Sequence, residues 1–206
     1  MDTSLHKSKI FLRLFIFIIL FSLIFSSILL AGLQEEIPQL ELPLVATTAG
    51  QSPGALMFSV LAKKAEIPCD REDLLTAQML KDKAEAGEPY KTLVITTGTS
   101  MKGMGAAGVD IDAELRRIEE VITEAKAQNM TIIGAHIEGP ARRVDETDAA
   151  SIRTVIPESD IILVRNDSNE DDYFTDAAQE LDIPLISYEK TTELGEILVE
   201  MFPVSE

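Results

Sequence analysis

Read for its hydrophobic and polar positions, the chain falls into three parts. Residues 14–33 form an unbroken run of 20 residues without a charge, long enough to cross a hydrocarbon core of about 30 Å. Residues 34–42 hold Pro38 and three glutamates and read as a short extended tether. From residue 43 onward, short apolar runs alternate with segments whose apolar positions recur every three or four residues. The apolar runs predict strands at 44–49, 91–97, 130–137, 160–165 and 184–188. They lack period-two alternation, as expected when both faces of a sheet are covered. The periodic segments predict helices at 55–65, 70–86, 112–128, 147–155, a stretch opened by Ser168, and 191–202.

Local signals sharpen these boundaries. Ser52 suits a helix cap and Pro53 the first helical position; Asp70 suits a cap and Gly87 a terminator. Ser168-Asn169-Glu170-Asp171 has the form of a capping box. Inward stripes are expected from Leu115, Ile118, Ile122 and Ala125, from Phe174, Ala178 and Leu181, and from Leu194, Ile197, Leu198 and Met201. The alternation of strand and helix predicts a three-layer, Rossmann-like or flavodoxin-like α/β domain with about five parallel strands, behind one N-terminal hydrophobic helix.

Charge then narrows the function classes. Residues 34–206 carry 15 basic against 34 acidic side chains, a net of −19. Such a surface repels phosphate backbones, so nucleic acid is not an expected partner. It leaves room for cationic partners or for a local basic spot inside an acidic shell. The absence of Trp argues against a stacking platform for bases or sugars. Cys69 is the only cysteine, which rules out an intramolecular disulfide; it reads as a small side chain at a helix start. Lys7, Lys9 and Arg13 precede the long apolar run and Glu35-Glu36 follow it. That asymmetry places the domain on the extracytoplasmic side. Residues 1–33 are read as an uncleaved membrane anchor, with a cleaved signal peptide as the alternative. The domain is therefore expected at the cell membrane, or secreted if the segment is removed.

In a doubly wound sheet, ligands bind outside the carboxyl ends of the strands. The strand-end loops nominate Thr48, Gln51 and Ser52; Thr97, Thr99, Ser100, Lys102 and Gly103; His136, Arg142 and Arg143; and Asn166. Hydroxyls and cations on one edge of an acidic domain suggest a small anionic ligand, with a membrane transporter or sensor as a further partner. No cofactor follows from the sequence, and no residue is nominated as catalytic or as a metal ligand.

Three motif matches fail on context. Gly103-Met104-Gly105-Ala106-Ala107-Gly108 fits G-x-G-x-x-G, but it begins six residues past the strand, and no acidic residue closes a strand about 20 residues on. Residues 98–108 instead read as a glycine-rich lid in which backbone N–H groups and Lys102 could cradle an anion. Gly50-Gln51-Ser52-Pro53-Gly54 fits the nucleophile elbow G-x-S-x-G. Pro53, however, has no N–H for an oxyanion hole, and His136 would be the only base in the domain. A phosphate-loop pattern fails because Lys102 precedes the second glycine. His136 and Glu138 are too few for a metal site. Arg142 and Arg143 offer either a bidentate anion clamp or surface pairs with Asp145 and Glu146. Glu170-Asp171-Asp172 reads as a solvated helix start.

The strings TTAGQSPGALM (47–57) and ITTGTSMKGMGAAGVD (95–110) resemble those of an uncharacterised family of bacterial exported or membrane-anchored α/β domains, over residues 43–202. The resemblance implies that the domain recurs as a unit behind a signal or anchor segment, and it carries over no catalytic residue. A binding module is thus the leading expectation. A hydrolase or transferase acting on a phosphate or carboxylate compound, and a ligand-free interaction domain, are the alternatives.

Overall fold

The computed structural model describes residues 37–203. The predicted anchor at 14–33 lies outside them, and no helix among the described residues is long and apolar enough to cross a membrane. Six parallel strands run β1 (Leu44–Ala49), β2 (Cys69–Arg71), β3 (Thr92–Thr97), β4 (Thr131–His136), β5 (Ile161–Arg165) and β6 (Leu185–Tyr188), in the spatial order β2-β1-β3-β4-β5-β6. β1, β3 and β4 are buried almost throughout, which is why their sequences read as continuous apolar and threonine runs. Seven helices cover the sheet: α1 (Gly54–Lys64), α2 (Ala77–Glu85), α3 (Met101–Ala107), α4 (Ile111–Ala127), α5 (Glu146–Val155), α6 (Tyr173–Leu181) and α7 (Thr191–Met201).

The strands alternate their side chains between two cores. On one face Ala46, Val94, Ile133 and Leu163 meet Phe58 of α1 and Leu198 of α7. On the other, Val45, Leu93, Ile95 and Ile132 meet Leu80 of α2 and Ile118 of α4, while Ile162 and Val164 meet Ile152 of α5 and Phe174 of α6. The three-layer doubly wound architecture follows. The chain runs outward from β1 to β2 and then back past β1 to β3. This puts the reversal of strand order, and the crevice that accompanies it, at the C-terminal ends of β1 and β3.

Several expectations need correction. The stretch expected as one helix over 70–86 opens instead with β2, an edge strand that pairs with β1 (Leu44 opposite Cys69). The helix begins only after Thr76, whose Oγ1 accepts from the Met79 N–H at 3.2 Å. Asp70, expected as a cap, accepts from the Tyr90 hydroxyl at 2.5 Å. A strand of three residues is too short to show a period, and its pairing edge is a tertiary feature. Pro53, not Ser52, occupies the cap position of α1, and no side chain caps that helix. The sequence 168–171 forms no capping box: 166–168 is a 3₁₀ turn and α6 starts at Tyr173. There the Asn169 Oδ1 accepts from the Phe174 N–H at 2.8 Å. Leu115 is only half-buried, whereas Glu114, one residue earlier, is fully buried. Residues 37–42 are docked rather than free: Ile37, Leu40 and Leu42 pack on the α1/α7 core, and the Leu40 N–H donates to Met201 O at 2.7 Å.

Candidate functional site

The stretch expected as a glycine-rich lid is mostly helix. Ser100 caps α3, its Oγ accepting from the Gly103 N–H at 3.0 Å, and Gly108 ends the helix at φ +71°. Gly103 sits against the β1–α1 loop so closely that a Cβ there would lie 2.0 Å from the Gln51 carbonyl oxygen. The glycine serves close packing of α3 on that loop. Two further contacts hold the loops together: the Ser100 N–H donates to Gly50 O at 2.8 Å, and Gln51 and Thr99 form an antiparallel bridge. Gln51 itself stands at φ +53°. Lys102, on α3, is exposed.

Two buried carboxylates occupy the positions where an external anion was expected. The Glu114 Oε1 accepts from the Gly50 N–H at 2.9 Å, from Gln51 Nε2 at 2.9 Å and from Arg117 Nη2 at 2.7 Å. Its Oε2 accepts from Arg117 Nε at 3.0 Å, completing a bidentate pair. Arg117 also donates to the carbonyls of Leu75 and Thr48, each at 2.7 Å. On the β3 side, the Asp148 Oδ1 accepts from the Thr99 N–H and from Thr99 Oγ1, both at 2.8 Å, and its Oδ2 from the Val144 N–H at 3.1 Å. Asp148 lies in the first turn of α5, where the helix dipole favours a negative charge. Ser151 completes the tie: its Oγ accepts from the Gly98 N–H at 3.1 Å and donates to Ala49 O. The N–H groups of Gly50, Gly98 and Thr99 at the reversal point are thus satisfied by the chain's own side chains.

The nominated cations divide. Arg142 lies along Gly98 (φ +104°), donating to Glu138 Oε2 at 3.0 Å and to Thr99 O at 2.7 Å. Arg143 turns away from it, and neither arginine takes Asp145 or Glu146 as partner: Asp145 caps α5, and Arg143 makes a bidentate pair with Asp171 at 2.7 and 2.8 Å. Its guanidinium stacks 5.5 Å from the Tyr173 ring centre and 5.2 Å from that of Phe174. With Ala149, Ile152, Arg153 and Tyr173 it lines a cavity of about 200 Å³ between α5 and α6. Asn166 is exposed in the turn after β5.

His136 and Glu138 were expected to point the same way, but the strand ends at His136 and the alternation ends with it. His136 faces Phe174, with ring centres 5.5 Å apart, while Glu138 Oε1 faces Gly54 at the start of α1. Both ring nitrogens of His136 are engaged: Nε2 lies 3.2 Å from Gly139 O and Nδ1 2.9 Å from Thr97 Oγ1. A carbonyl only accepts, so Nε2 carries the proton and Nδ1 accepts from the threonine. Burial drives the His136 pKa down to about 4, helped by the Arg143 and Arg165 charges and opposed by the bond to Gly139. The unfolded chain therefore binds a proton between pH 6.5 and 4 that the folded chain does not. Stability attributable to this neutral histidine is complete above pH 6.5 and falls by roughly 3 kcal/mol as pH drops toward 4. Urea titrations across that window should show the fall, and His136→Gln should flatten the part of the slope that it carries.

Ser52 is 5% exposed, and its Oγ lies 3.3 Å from Thr48 Oγ1. His136 is held by Thr97 and Gly139 and makes no hydrogen bond to Ser52. Among the described residues no group of three His, Cys, Asp or Glu is arranged to hold a metal. Glu114, Asp148, Arg153 and Tyr173 escaped the strand-end reading because they lie on helices. A signal existed for the two carboxylates. Glu114 shares a phase with Ile118, Val121 and Ala125, and Asp148 with Ile152 and Val155; these are the buried stripes of α4 and α5. A carboxylate on an apolar stripe implies an internal partner.

The arrangement defines a class: a parallel three-layer α/β domain whose strand-edge loops are locked by internal carboxylates. The chain belongs to the family described as Domain of unknown function (DUF6305), which matches residues 41–202. No curated protein matches it in sequence. Among solved structures, it is similar to the psychrotrophic esterase EstA from a Pseudoalteromonas species at 10% identity, over 77% of this chain and 93% of that one, with a TM-score of 0.33. A GDSL-like lipase from Bacteroides thetaiotaomicron shows 16% identity over 70% of this chain and 67% of that one, also at 0.33. Scores this low transfer no activity or residue role.

Proposed function

We propose that this domain is a binding module, displayed outside the cytoplasm behind an N-terminal membrane anchor, which takes a small anionic ligand at the rim of its C-terminal strand edge. The observation that supports the ligand is Arg143: it leaves the locked network and lines a cavity together with Arg153, each cation paired with a carboxylate at the surface. The charge-free run at 14–33 and its basic flank support the anchor and its orientation. The enzyme alternative is less well supported: the one hydroxyl bonded to His136 is that of Thr97, which is fully buried, and Ser52 bonds Thr48 instead.

A thermal-melt screen of the full-length protein tests this reading, with phosphates, nucleotides, dicarboxylates, monocarboxylates, amino acids and divalent metals as the panel. A ligand at 100 times its dissociation constant should add about 2.7 kcal/mol, a rise of a few degrees. An anionic hit is the expected result, and a panel flat for every anion would sink the proposal. Turnover of a bound compound would move the assignment to an enzyme.

A further inference from the structure

We propose that the cavity between α5 and α6 is a receptor site for a compact monocarboxylate with an apolar or aromatic body, held by Arg143 and Arg153 over a floor of Ala149, Ile152 and Tyr173. This rests on the binding-module reading and names its ligand class. The volume of about 200 Å³ sets the size. An apolar cavity of about 150 Å³ accommodates benzene, so a single ring or a short branched chain fits, and a nucleotide or a drug-sized molecule does not.

The lining sets the chemistry. Ile152 is buried, Ala149 and Tyr173 are half-buried, and all three present carbon to the space. Inorganic phosphate would strand that apolar surface. An apolar molecule alone would forgo the two guanidiniums. Arg143 is pre-oriented: its guanidinium carbon lies over the Tyr173 and Phe174 rings, and it donates to Ser168 O. Its planar fork suits a carboxylate. Burial raises the Tyr173 pKa, and the Arg143 and Arg153 charges oppose the rise.

Each guanidinium now holds a carboxylate of the chain, and both partners lie at the surface: Asp171 is 59% exposed, and Glu146, the partner of Arg153, is 82% exposed. The Arg153–Glu146 pair contributes little stability, whereas the bidentate Arg143–Asp171 pair has to be exchanged for an equally bidentate ligand carboxylate. A ligand carboxylate that brings an apolar body into the cavity can replace them, because it adds burial that Asp171 and Glu146 cannot supply.

The test is equilibrium dialysis of radiolabelled benzoate against the full-length chain in nanodiscs, with empty nanodiscs as control. Saturable binding at one site per chain is expected, with inorganic phosphate competing at least tenfold less well. Arg153→Gln changes a half-exposed side chain and should weaken benzoate binding about tenfold, the scale of one charge-assisted hydrogen bond. Ala149→Leu fills the cavity without touching either ion pair and should abolish binding while the melting temperature holds. Absence of saturable benzoate binding by the wild-type chain overturns the proposal, as do unchanged affinities in both variants or equal competition by phosphate. A chain that ignores benzoate but binds another anion in the broad screen loses this inference and keeps the binding-module reading; a chain that binds neither loses both.

Discussion

Replacing Glu114 by alanine is expected to cost about 3–5 kcal/mol of folding stability, read as a fall in the urea midpoint at unchanged slope. The carboxylate is fully buried and Arg117 beside it is only 12% exposed, so removing one partner leaves an uncompensated charge in the interior. The Gly50 N–H loses its acceptor in the same step, and the Gln51 amide keeps only Asp73 O; a buried donor without a partner is costly in its own right. Glu114→Gln should fall between the two. It keeps an acceptor for Gly50 but removes the charge that balances Arg117. A loss below about 1 kcal/mol for the alanine variant would mean that the pair is solvated, contrary to its burial.

The second large effect is expected at Asp148. Alanine there strands the buried N–H of Thr99, leaves its hydroxyl with Thr147 alone and frees the Val144 N–H at the surface, a loss of about 2–3 kcal/mol. This variant also tests whether the carboxylate holds a seat shaped for an anion. Formate should restore part of the lost stability at millimolar concentration, whereas chloride at the same ionic strength should not. If formate does nothing, the seat closes when Asp148 is removed, and those N–H groups turn to water or to each other. Wild-type protein should ignore formate at this position, since its donors are already taken.

These two carboxylates mark where sequence reasoning stopped. Sequence reasoning placed an anion cradle at 98–108; in the structure the Gly98 and Thr99 N–H groups of that stretch, and Gly50 beside it, donate to side chains of the chain. The sequence could not tell whether those donors were free. Glu114 is 64 residues from Gly50, and Asp148 is 49 from Thr99. No local pattern connects such distant partners. Arg142 and Arg143 illustrate the same limit. They are adjacent in sequence and were read together, as an anion clamp or as surface pairs with Asp145 and Glu146, yet the turn at Pro140–Arg142 sends one to Glu138 and the other to Asp171.

What the sequence by itself determined is whatever depends on short-range periodicity and composition. It determined the alternation of buried strands and amphipathic helices, the parallel doubly wound class, the positions of the strand-end loops, the acidic composition and the charge-free N-terminal run. Each rests on neighbours within a few residues, or on sums over the chain. Tertiary structure alone decided the sixth strand, because three residues at 69–71 become a strand only when β1 offers an edge to pair with. It also decided that the glycines of 98–108 serve a short helix packed on Gln51, and that His136 is neutral and held at both nitrogens. Above all, it decided that the anion seats at the β1 and β3 ends belong to Glu114 and Asp148. Burying a carboxylate is unfavourable until its donors are in place, and only the folded chain brings those donors to it.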